Sequence, residues 1–542
     1  MQAKYIVIFG SLLSGIGKGI VSASISKILD MYGYDVMPLK FDGYLNYDCG
    51  TMNPYRHGEV FVLDDKSEVD MDFGNYERFL NKDLDTSSSI TGGKLFSEII
   101  AKERRGDYLG RDVQMVPNLT DLILEKVKSA ASEKNAEIMI IEVGGTVGDI
   151  ENSYFIEAMR QLALNESVVF VDVSFVPELE SVGEQKTKPT QLAIKGLMQS
   201  GIQPHFIICR SSKPLTMQAK SKIALFSNLP PERIIDDHDI DTIYEVPAEL
   251  MRQNLDKMII EQLKLPKREL RKDEFDKWTS RVNSLGSAQK AVSIAIVGKY
   301  MNLHDSYASV KEALVHSAMG HGAKLSINWV ESEKLEGKSP TEIEKMLSGN
   351  SGMIVPGGFG KRGTEGMIKA IEYARNKKMP YLGICYGMQL MAIEYARNVC
   401  GIKDASSSEF DPECKDPVIS IMETQKSIDR KGGTMRLGAW EAVLKEGTSA
   451  YSAYGQKNIS ERHRHRYELN NNYRDVLEKN GLIISGTTPD NELVELIEWP
   501  GSFGIGTQAH PELKSRPEHP APLFMALLKS ALDFGKTVNP AP

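Results

Sequence analysis

At 542 residues the chain has room for roughly three or four domains of about 150 residues, or for two large ones. Hydrophobic residues make up 41% and charged residues 25%, and the net charge of −8 is spread along the chain. That balance suits a globular protein with ample core and excludes an extended nucleic-acid-binding face, while leaving room for local basic pockets that take phosphates. The longest apolar runs, such as Ile138–Ile141 and Val168–Val171, are far too short to cross a bilayer, so no membrane partner is expected. The opening MQAKYIVIFG enters a strand directly, without the basic and long apolar regions of a secretory signal. Cys49, Cys209, Cys385, Cys400 and Cys414 are few, odd in number and irregularly spaced, which suits a reducing cytoplasm rather than a disulfide framework or a CxxC zinc site.

In chain order, Tyr5–Phe9, Ile138–Glu142, Val168–Val173 and Phe206–Cys209 read as buried strands, and Val21–Met31 and Thr120–Ser132 as helices. Strands alternating with helices predict parallel strands covered on both faces. Residues 266–290, PKRELRKDEFDKWTSRVNSLGSAQK, are charge-dense with little apolar periodicity, which predicts a partly solvated helix serving as an interdomain linker. A second α/β series follows, with strands expected at Val292–Tyr300, within Gly352–Gly358 and in YLGICYG, Tyr381–Gly387.

The first strand runs into GSLLSGIGKGIVSAS, a Gly-rich turn that opens a helix. Such a turn aims backbone N–H groups at an anion, the helix N-terminus adds partial positive charge, and Lys18 supplies a full one. The motif departs from G-x-x-x-x-G-K-[ST], because Leu stands at position 12 and Gly19 replaces the metal-binding hydroxyl. A tight strand-to-helix turn would account for the glycines but not for a lysine inside the loop. Mg²⁺ then needs carboxylates elsewhere. Asp72, in EVDMDFGNYERF, and Glu142, ending the apolar strand IMIIEVGGTVGD, are the candidates. Taken alone, Asp72 reads as a solvated loop acid. Glu142 sits where doubly wound sheets place ligands, at the C-terminal end of a buried strand. The run GEQKTKPTQ, Gly183–Gln191, reads as a second polyphosphate site or a solvated loop.

The C-terminal half holds the most specific local signal. In PYLGICYGMQLMAIEYA a short strand leads into Gly383, Cys385 and Gly387 and then an apolar-periodic helix. This is the cysteine form of the strand–elbow–helix turn, which exposes a nucleophile where the helix N-terminus favours the attacking thiolate. A buried structural cysteine would need neither glycine. Downstream, AHPE offers His510 as base and Glu512 as its orienting acid. An extended i, i+2 pair points to opposite faces, so the intervening proline leaves the geometry open. IVPGGFG, Ile354–Gly360, supplies a Gly-rich strand end for an oxyanion hole.

GxCxG followed by HPE resembles the class I, triad-type glutamine amidotransferases. The whole chain, from residue 5 to about residue 520, resembles the CTP synthase family through SGIGKG, DMDFGNYERF, KERRGDYLG, IEVGGTVGDIE, GEQKTKPTQ, VPGGFGKRGTEG, GGTMRLG and ERHRHRYE. The resemblance implies an α/β fold in two parts: a P-loop-like parallel-sheet synthetase domain over 1–265 and, after the linker 266–290, a C-terminal α/β class I glutamine amidotransferase domain over 291–542. It implies that ATP phosphorylates uracil O4 of UTP and that ammonia from L-glutamine displaces the phosphate to give CTP. Ser14, Gly15, Ile16, Gly17, Lys18, Gly19 and Ile20 would then follow the nucleotide phosphates, with Ser14 shared between ATP and UTP. Lys18 would meet the transferred group, and Lys40 would be a second phosphate lysine. Asp72 and Glu142 would hold Mg²⁺, and His238, Asp239 and Ile240 would lie beside adenine. Asp149, Ile150, Glu151, Lys186, Thr187, Lys188, Pro189, Thr190, Gln191 and Lys222 would form the UTP site, which CTP also occupies as an inhibitor. Cys385 would form the glutamyl thioester with His510 and Glu512. Gly358, Tyr386, Gly387, Met388, Gln389, Glu409 and Arg466 would hold glutamine, with Gly358 in the oxyanion hole. GTP would activate through the lid containing Arg362, and His57 and Val60 would line an ammonia channel. A homotetramer is expected, and members of the family can assemble into filaments.

The chain departs from the family pattern with Tyr386 in place of leucine, Gly43 and Cys49 in place of prolines, Ser11 in place of a frequent glycine, and a GTQAHPE segment less bulky than the common form. None removes a residue with a chemical role. Two other readings compete. An ATP-dependent amidase of cobyrinic-acid type does not account for GEQKTKPTQ or ERHRHRYE. An assembly or regulatory protein built on a dead glutaminase does not account for keeping Cys385, His510 and Glu512 together.

Overall fold

The structure, a computed structural model, describes residues 3–53, 57–179, 183–299, 301, 303–422 and 433–538. Tyr300 and Gly432, in the expected strand Val292–Tyr300 and the GGTMRLG motif, lie outside the described residues. The chain divides into two compact units, Met1–Asp48 with Asn75–Val282, and Cys49–Gly74 with Asn283–Pro542.

The first unit is organised on strands β1 (Lys4–Ser11), β2 (Val36–Asp42), β3 (Ser89–Thr91), β4 (Ile138–Val143), β5 (Val168–Phe175), β6 (Phe206–Ser211) and β7 (Ile234–His238). Among the described residues they form one sheet in the order β7-β6-β5-β1-β4-β2-β3. Every pairing is parallel, as the alternating strand and helix pattern predicts. The β-branched runs are buried almost through their full length, Val168 being the partly exposed exception, because helices cover both faces. Ile6, Ile8, Ile140, Val169, Val171 and Ile208 share one core with Ile25 and Ile28 of helix α1 (Lys18–Met31). Burying each such side chain contributes roughly 1.5–3 kcal/mol, which fixes the strand order and so the rim where the strands end. Helix α2 (Lys188–Gln199) opens with Pro189 in its first turn.

The charge-dense stretch after residue 266 contains helix α3 (Lys272–Asn283). It is anchored rather than merely solvated: Trp278 and Val282 are buried, and Trp278 Nε1 donates to the Tyr244 carbonyl at 2.9 Å.

The second unit is built on β8 (Lys290–Gly298), β9 (Ala323–Glu331), β10 (Gly352–Val355), β11 (Tyr381–Ile384), β12 (Arg436–Leu444), β13 (Asn458–His465), β14 (Ile483–Thr487), β15 (Val494–Glu498) and β16 (Gly504–Thr507). Among the described residues the sheet order is β9-β8-β10-β11-β16-β15-β14-β12-β13. The strands from β9 to β16 pair in parallel, and the remainder pair antiparallel. Along β8, Ile294 and Ile296 enter one apolar core while Ala295 and Val297 enter another, so the sheet is covered on both faces. Helix α4 (Tyr386–Asn398) leaves directly from the end of β11. A short antiparallel pair, Phe61–Val62 with Glu68–Val69, belongs to this unit although its sequence lies far upstream.

Candidate active sites

In the first unit the phosphate turn follows β1. Gly15 (φ 71°) and Gly17 (φ 92°) take left-handed backbone, and Gly17 caps α1. Lys18 folds back so that its Nζ donates to the Gly145 carbonyl at 2.7 Å. Lys40 on β2 and Glu142 on β4 are register partners near the carboxyl ends of adjacent parallel strands, and both are buried. Glu142 accepts a hydrogen bond from the Tyr76 hydroxyl. Two lysines and a carboxylate thus lie at one rim, side chains whose chemistry suits an anion and a hard cation. Asp72, which falls in the second unit, opens the helix Asp72–Leu80, and its backbone N–H donates to Asp70 Oδ1 at 3.0 Å. Among the described residues, no group of three or more His, Cys, Asp and Glu side chains is arranged to hold a metal by itself. One or two carboxylates completed by water and phosphate oxygens is the donor set Mg²⁺ prefers.

Around the GEQKTKPTQ run, Thr187 and Lys222 line a cleft with Glu178, Gln185 and Lys213. Lys186 pairs with Glu184 at 2.6 Å, Thr190 Oγ1 donates to the Phe175 carbonyl at 2.7 Å, and Gln191 Nε2 donates to Thr187 Oγ1 at 3.0 Å. Lys188 and Pro189 open α2. Asp149 accepts from the Thr146 N–H at 3.2 Å, and Ile150 is 86% exposed beside Glu151. His238 pairs with Asp236 at 3.1 Å, Asp239 with Arg210 at 2.8 Å, and Ile240 packs on the core.

One acid here escaped the sequence reading. Asp172, fully buried in β5, accepts the Ser11 hydroxyl at 2.5 Å. Burial pushes its carboxyl up to about 7, against the pull of the Ser11 hydroxyl and the Lys18 charge. The signal was an aspartate inside the otherwise apolar VVFVDVSF.

In the second unit Cys385 stands between β11 and α4 at φ 49°, ψ −97°, a conformation L-residues rarely hold. It persists because the surroundings fix it. Its N–H donates to the Thr507 carbonyl at 2.7 Å, and its carbonyl accepts the Gln389 N–H at 3.1 Å. The HPE question left open by spacing is resolved by backbone geometry. His510 caps a turn of 3-10 helix, Pro511–Lys514, which swings Glu512 back so that His510 Nδ1 and Glu512 Oε1 are 2.8 Å apart. Cys385, His510, Glu512, Gly358, Arg464 and Val60 line one cleft, and His57 is not among its lining residues. Burial alone would lower the His510 pKa, but the Glu512 carboxylate and the Cys385 sulfur outweigh it and raise it to about 10. The resting imidazole is therefore protonated and ready to give a proton to a leaving amine.

The Gly-rich strand end is tied down from several sides. Lys299 Nζ donates to the carbonyls of Phe359, at 2.8 Å, and Gly360, and it lies 4.2 Å over the Tyr386 ring. Tyr386 answers its own departure from the family pattern: its hydroxyl lies 2.9 Å from the Gly360 carbonyl and 2.7 Å from Thr364 Oγ1. Glu409 accepts the Gly360 N–H at 2.7 Å. Burial draws the Lys299 pKa down to about 8, with Glu409 opposing. Arg362 pairs with Glu333 at 2.7 Å, and Arg466 Nη2 donates to Thr434 at 3.0 Å. Met388 is buried in the core rather than in the cleft, and Gly387 packs on the Val355 backbone. Gln389 donates to the Tyr467 carbonyl at 2.8 Å and to Gln508 Oε1 at 3.3 Å.

Strand β13, carrying ERHRHRYE, borders the cleft. The Arg462 carbonyl accepts the His510 N–H at 2.7 Å, while Arg462 and Arg464 reach Asp64 at 2.5 Å and Glu68 at 2.8 Å. Its histidines face the other way. His463 meets Glu495 at 2.8 Å, and Arg436 meets the same carboxylate at 2.6 Å. Lys299 and Gln508 escaped the sequence reading. Lys299 ends a strand and Gln508 directly precedes AHPE, but neither position marks chemistry without the fold.

A strained cysteine at a strand-to-helix turn, in one cleft with a His–Glu pair and a Gly-rich strand end, defines a thiol-dependent amide hydrolase of the glutamine amidotransferase class. Comparison agrees: residues 302–530 match the family model "Glutamine amidotransferase class-I", and residues 4–265 match "CTP synthase N-terminus". A CTP synthase of Caldanaerobacter subterraneus subsp. tengcongensis is 49% identical over 98% of this chain and 99% of its own. One of Pyrococcus furiosus is 49% identical over 99% of each chain. Among solved structures, the glutaminase domain of Trypanosoma brucei CTPS with bound acivicin is 39% identical over 45% of this chain and 94% of that one, at a TM-score of 0.43. The chain belongs to the CTP synthase family: it is a glutamine-hydrolysing ligase that forms CTP from UTP.

Proposed function

We propose that the chemistry divides between a synthetase part over residues 1–265 and a glutaminase part over 291–542, with 266–290 between them. The observation that carries the glutaminase half is the 2.8 Å His510–Glu512 pair in one cleft with the strained Cys385. The Cys385 thiolate attacks the side-chain carboxamide carbon of glutamine, and the carbonyl oxygen takes the negative charge beside Gly358. The C–N bond then breaks, and His510 gives its proton to the departing ammonia. Water, deprotonated by the now neutral His510, cleaves the thioester and releases glutamate. Glu409 and Arg466 hold the glutamine backbone groups, with Tyr386 and Gln389 shaping the pocket.

In the synthetase half, Ser14 through Ile20 and Lys40 neutralise nucleotide phosphates, and Lys18 follows the group transferred from ATP to uracil O4. Phosphorylation turns a poor leaving oxygen into phosphate, which ammonia displaces. Asp72 and Glu142 would hold Mg²⁺, which would neutralise phosphate charge. Asp149–Glu151, Lys186–Gln191 and Lys222 take UTP, and product CTP inhibits there; His238–Ile240 take adenine. GTP activates the glutaminase through the lid that includes Arg362. Val60, beside the cleft, and His57 mark the ammonia path, which keeps the amine unprotonated. The enzyme works in the cytoplasm as a homotetramer able to form filaments.

The test is CTP formation, followed by absorbance, from UTP, ATP and Mg²⁺ with glutamine or ammonia as nitrogen source. Cys385→Ala should lose glutamine-driven synthesis and keep the ammonia-driven reaction. Omitting Mg²⁺ should abolish both, and GTP should speed only the glutamine-driven one. Absence of CTP from either source in the unmodified enzyme would overturn the synthetase half.

A further inference from the structure

We propose that Gln508 is a catalytic residue of the glutaminase, an amide N–H donor that holds negative charge on the Cys385 sulfur. The inference rests on the reading of Cys385 as nucleophile and goes beyond it. Gln508 is fully buried, and its Nε2 donates to Cys385 Sγ at 3.5 Å, within reach for a sulfur acceptor. The Arg464 carbonyl, 3.9 Å from the sulfur, can only accept and offers a thiolate nothing, so Gln508 adds a neutral donor to the cation that His510 brings to the same sulfur.

What makes the contact directional is the chain of hydrogen bonds behind it. The Tyr467 carbonyl can only accept, so the Gln389 amide must turn its NH₂ toward it, at 2.8 Å. The same NH₂ reaches Gln508 Oε1 at 3.3 Å, and an amide whose oxygen faces a donor has its own NH₂ on the opposite side. That NH₂ faces the sulfur. The Gln508 backbone is held as well, because its N–H donates to the Glu495 carbonyl at 2.8 Å. Both glutamines are buried, so neither amide can flip without leaving polar atoms unpaired. A carbonyl on one strand therefore fixes, through two amides, a donor pointing at the reacting atom. A donor strengthens as charge accumulates on its acceptor, so it favours the thiolate before attack and again when the thioester is cleaved and sulfur leaves.

The experiment uses the full-length enzyme and iodoacetamide as probe, with alkylation of Cys385 followed by peptide mass spectrometry across neutral to alkaline pH. Gln508→Met, which keeps bulk and loses the donor, should slow Cys385 alkylation at neutral pH about tenfold or more and move the pH profile to the alkaline side. Glutamine hydrolysis should fall by roughly ten- to a hundredfold, while ammonia-driven CTP synthesis stays at the unmodified level and reports an intact fold. Gln508→Glu, matched in size, puts a carboxylate against the sulfur and should move the profile further, and it decides the matter if the methionine variant loses ammonia-driven synthesis. An alkylation profile that coincides with the unmodified enzyme in both variants overturns the inference, whatever happens to hydrolysis. Failure of the underlying reading looks different: Cys385→Ala would then still hydrolyse glutamine.

Discussion

The phosphate turn after β1 and the elbow after β11 are the same device used in opposite ways. Each takes a parallel strand out through a Gly-rich turn into the N-terminus of a helix. In the first, the glycines open space: a Cβ on Gly15 would meet nothing within 4 Å. On the proposed function, a phosphate is to be met there by backbone N–H groups and by Lys18, which rests on the Gly145 carbonyl. In the second, the glycines relieve crowding. A Cβ on Gly383 would lie 2.7 Å from the Gly387 backbone, and one on Gly387 would lie 2.0 Å from the Val355 carbonyl oxygen. That compression forces Cys385 into its strained turn and presents its side chain. One turn is open at Gly15 and the other is packed full at Gly383 and Gly387.

The sharpest way to break this contrast is Gly387→Ala. The collision is with backbone, which no rotamer change relieves, so α4 must leave β10. Glutamine hydrolysis should fall to background while ammonia-driven CTP synthesis survives; retained hydrolysis would show that the elbow tolerates slack. Next in size is Lys18→Met. Losing the only full charge within the phosphate turn should lower CTP formation from both nitrogen sources by on the order of 10³. Glutamine hydrolysis measured without nucleotides should be unaffected.

Glu512→Gln probes how the elbow's sulfur is served. The carboxylate is the largest of the influences, with the Cys385 sulfur, that lift His510 to about 10 over the opposing effect of burial. A raised histidine pKa means that the imidazolium is complete at neutral pH and is lost as pH rises through that value. The alkaline limb of glutamine hydrolysis should therefore sit near 10 in the unmodified enzyme and move toward neutrality in the variant. The rate at neutral pH should drop by about 10². A limb that stays in place would mean that another group sets it.

Much of both sites was legible in the sequence because each depends on local spacing. GxCxG and SGIGKG name a turn, a helix start and a functional atom within a few residues, and β1, β4, β5 and β6 follow from uninterrupted β-branched runs. The parallel order followed from alternation with helices. What was not legible depends on residues that meet only after folding. Gln508 and Gln389 are far apart in the chain, yet their side chains touch. Lys299 acts on the loop at Phe359, 60 residues downstream. Asp64 and Glu68 reach Arg462 and Arg464 across nearly the whole chain, because residues 49–74 belong to the second unit. His510 and Glu512 were legible as a pair but not as a geometry, since only the 3-10 turn at Pro511 puts both side chains on one side.

The smallest effect is expected at Gly15, and its smallness is what tests the idea of an open turn. Gly15 has φ 71°, so alanine there pays the left-handed penalty of about 1–2 kcal/mol. Alanine also restricts the unfolded chain, which returns about 0.4–1 kcal/mol. No atom lies within 4 Å of the added carbon, so nothing else is to be added. Gly15→Ala should therefore cost about 1 kcal/mol in denaturant unfolding followed on the first unit, with glutamine hydrolysis unchanged. Crowding would add a collision cost, and a loss as large as that of Gly387→Ala would mean that the phosphate turn is packed from within like the elbow. A loss confined to the backbone penalty, together with a raised KM for ATP, would mean that the space above Gly15 is kept for the nucleotide phosphates themselves.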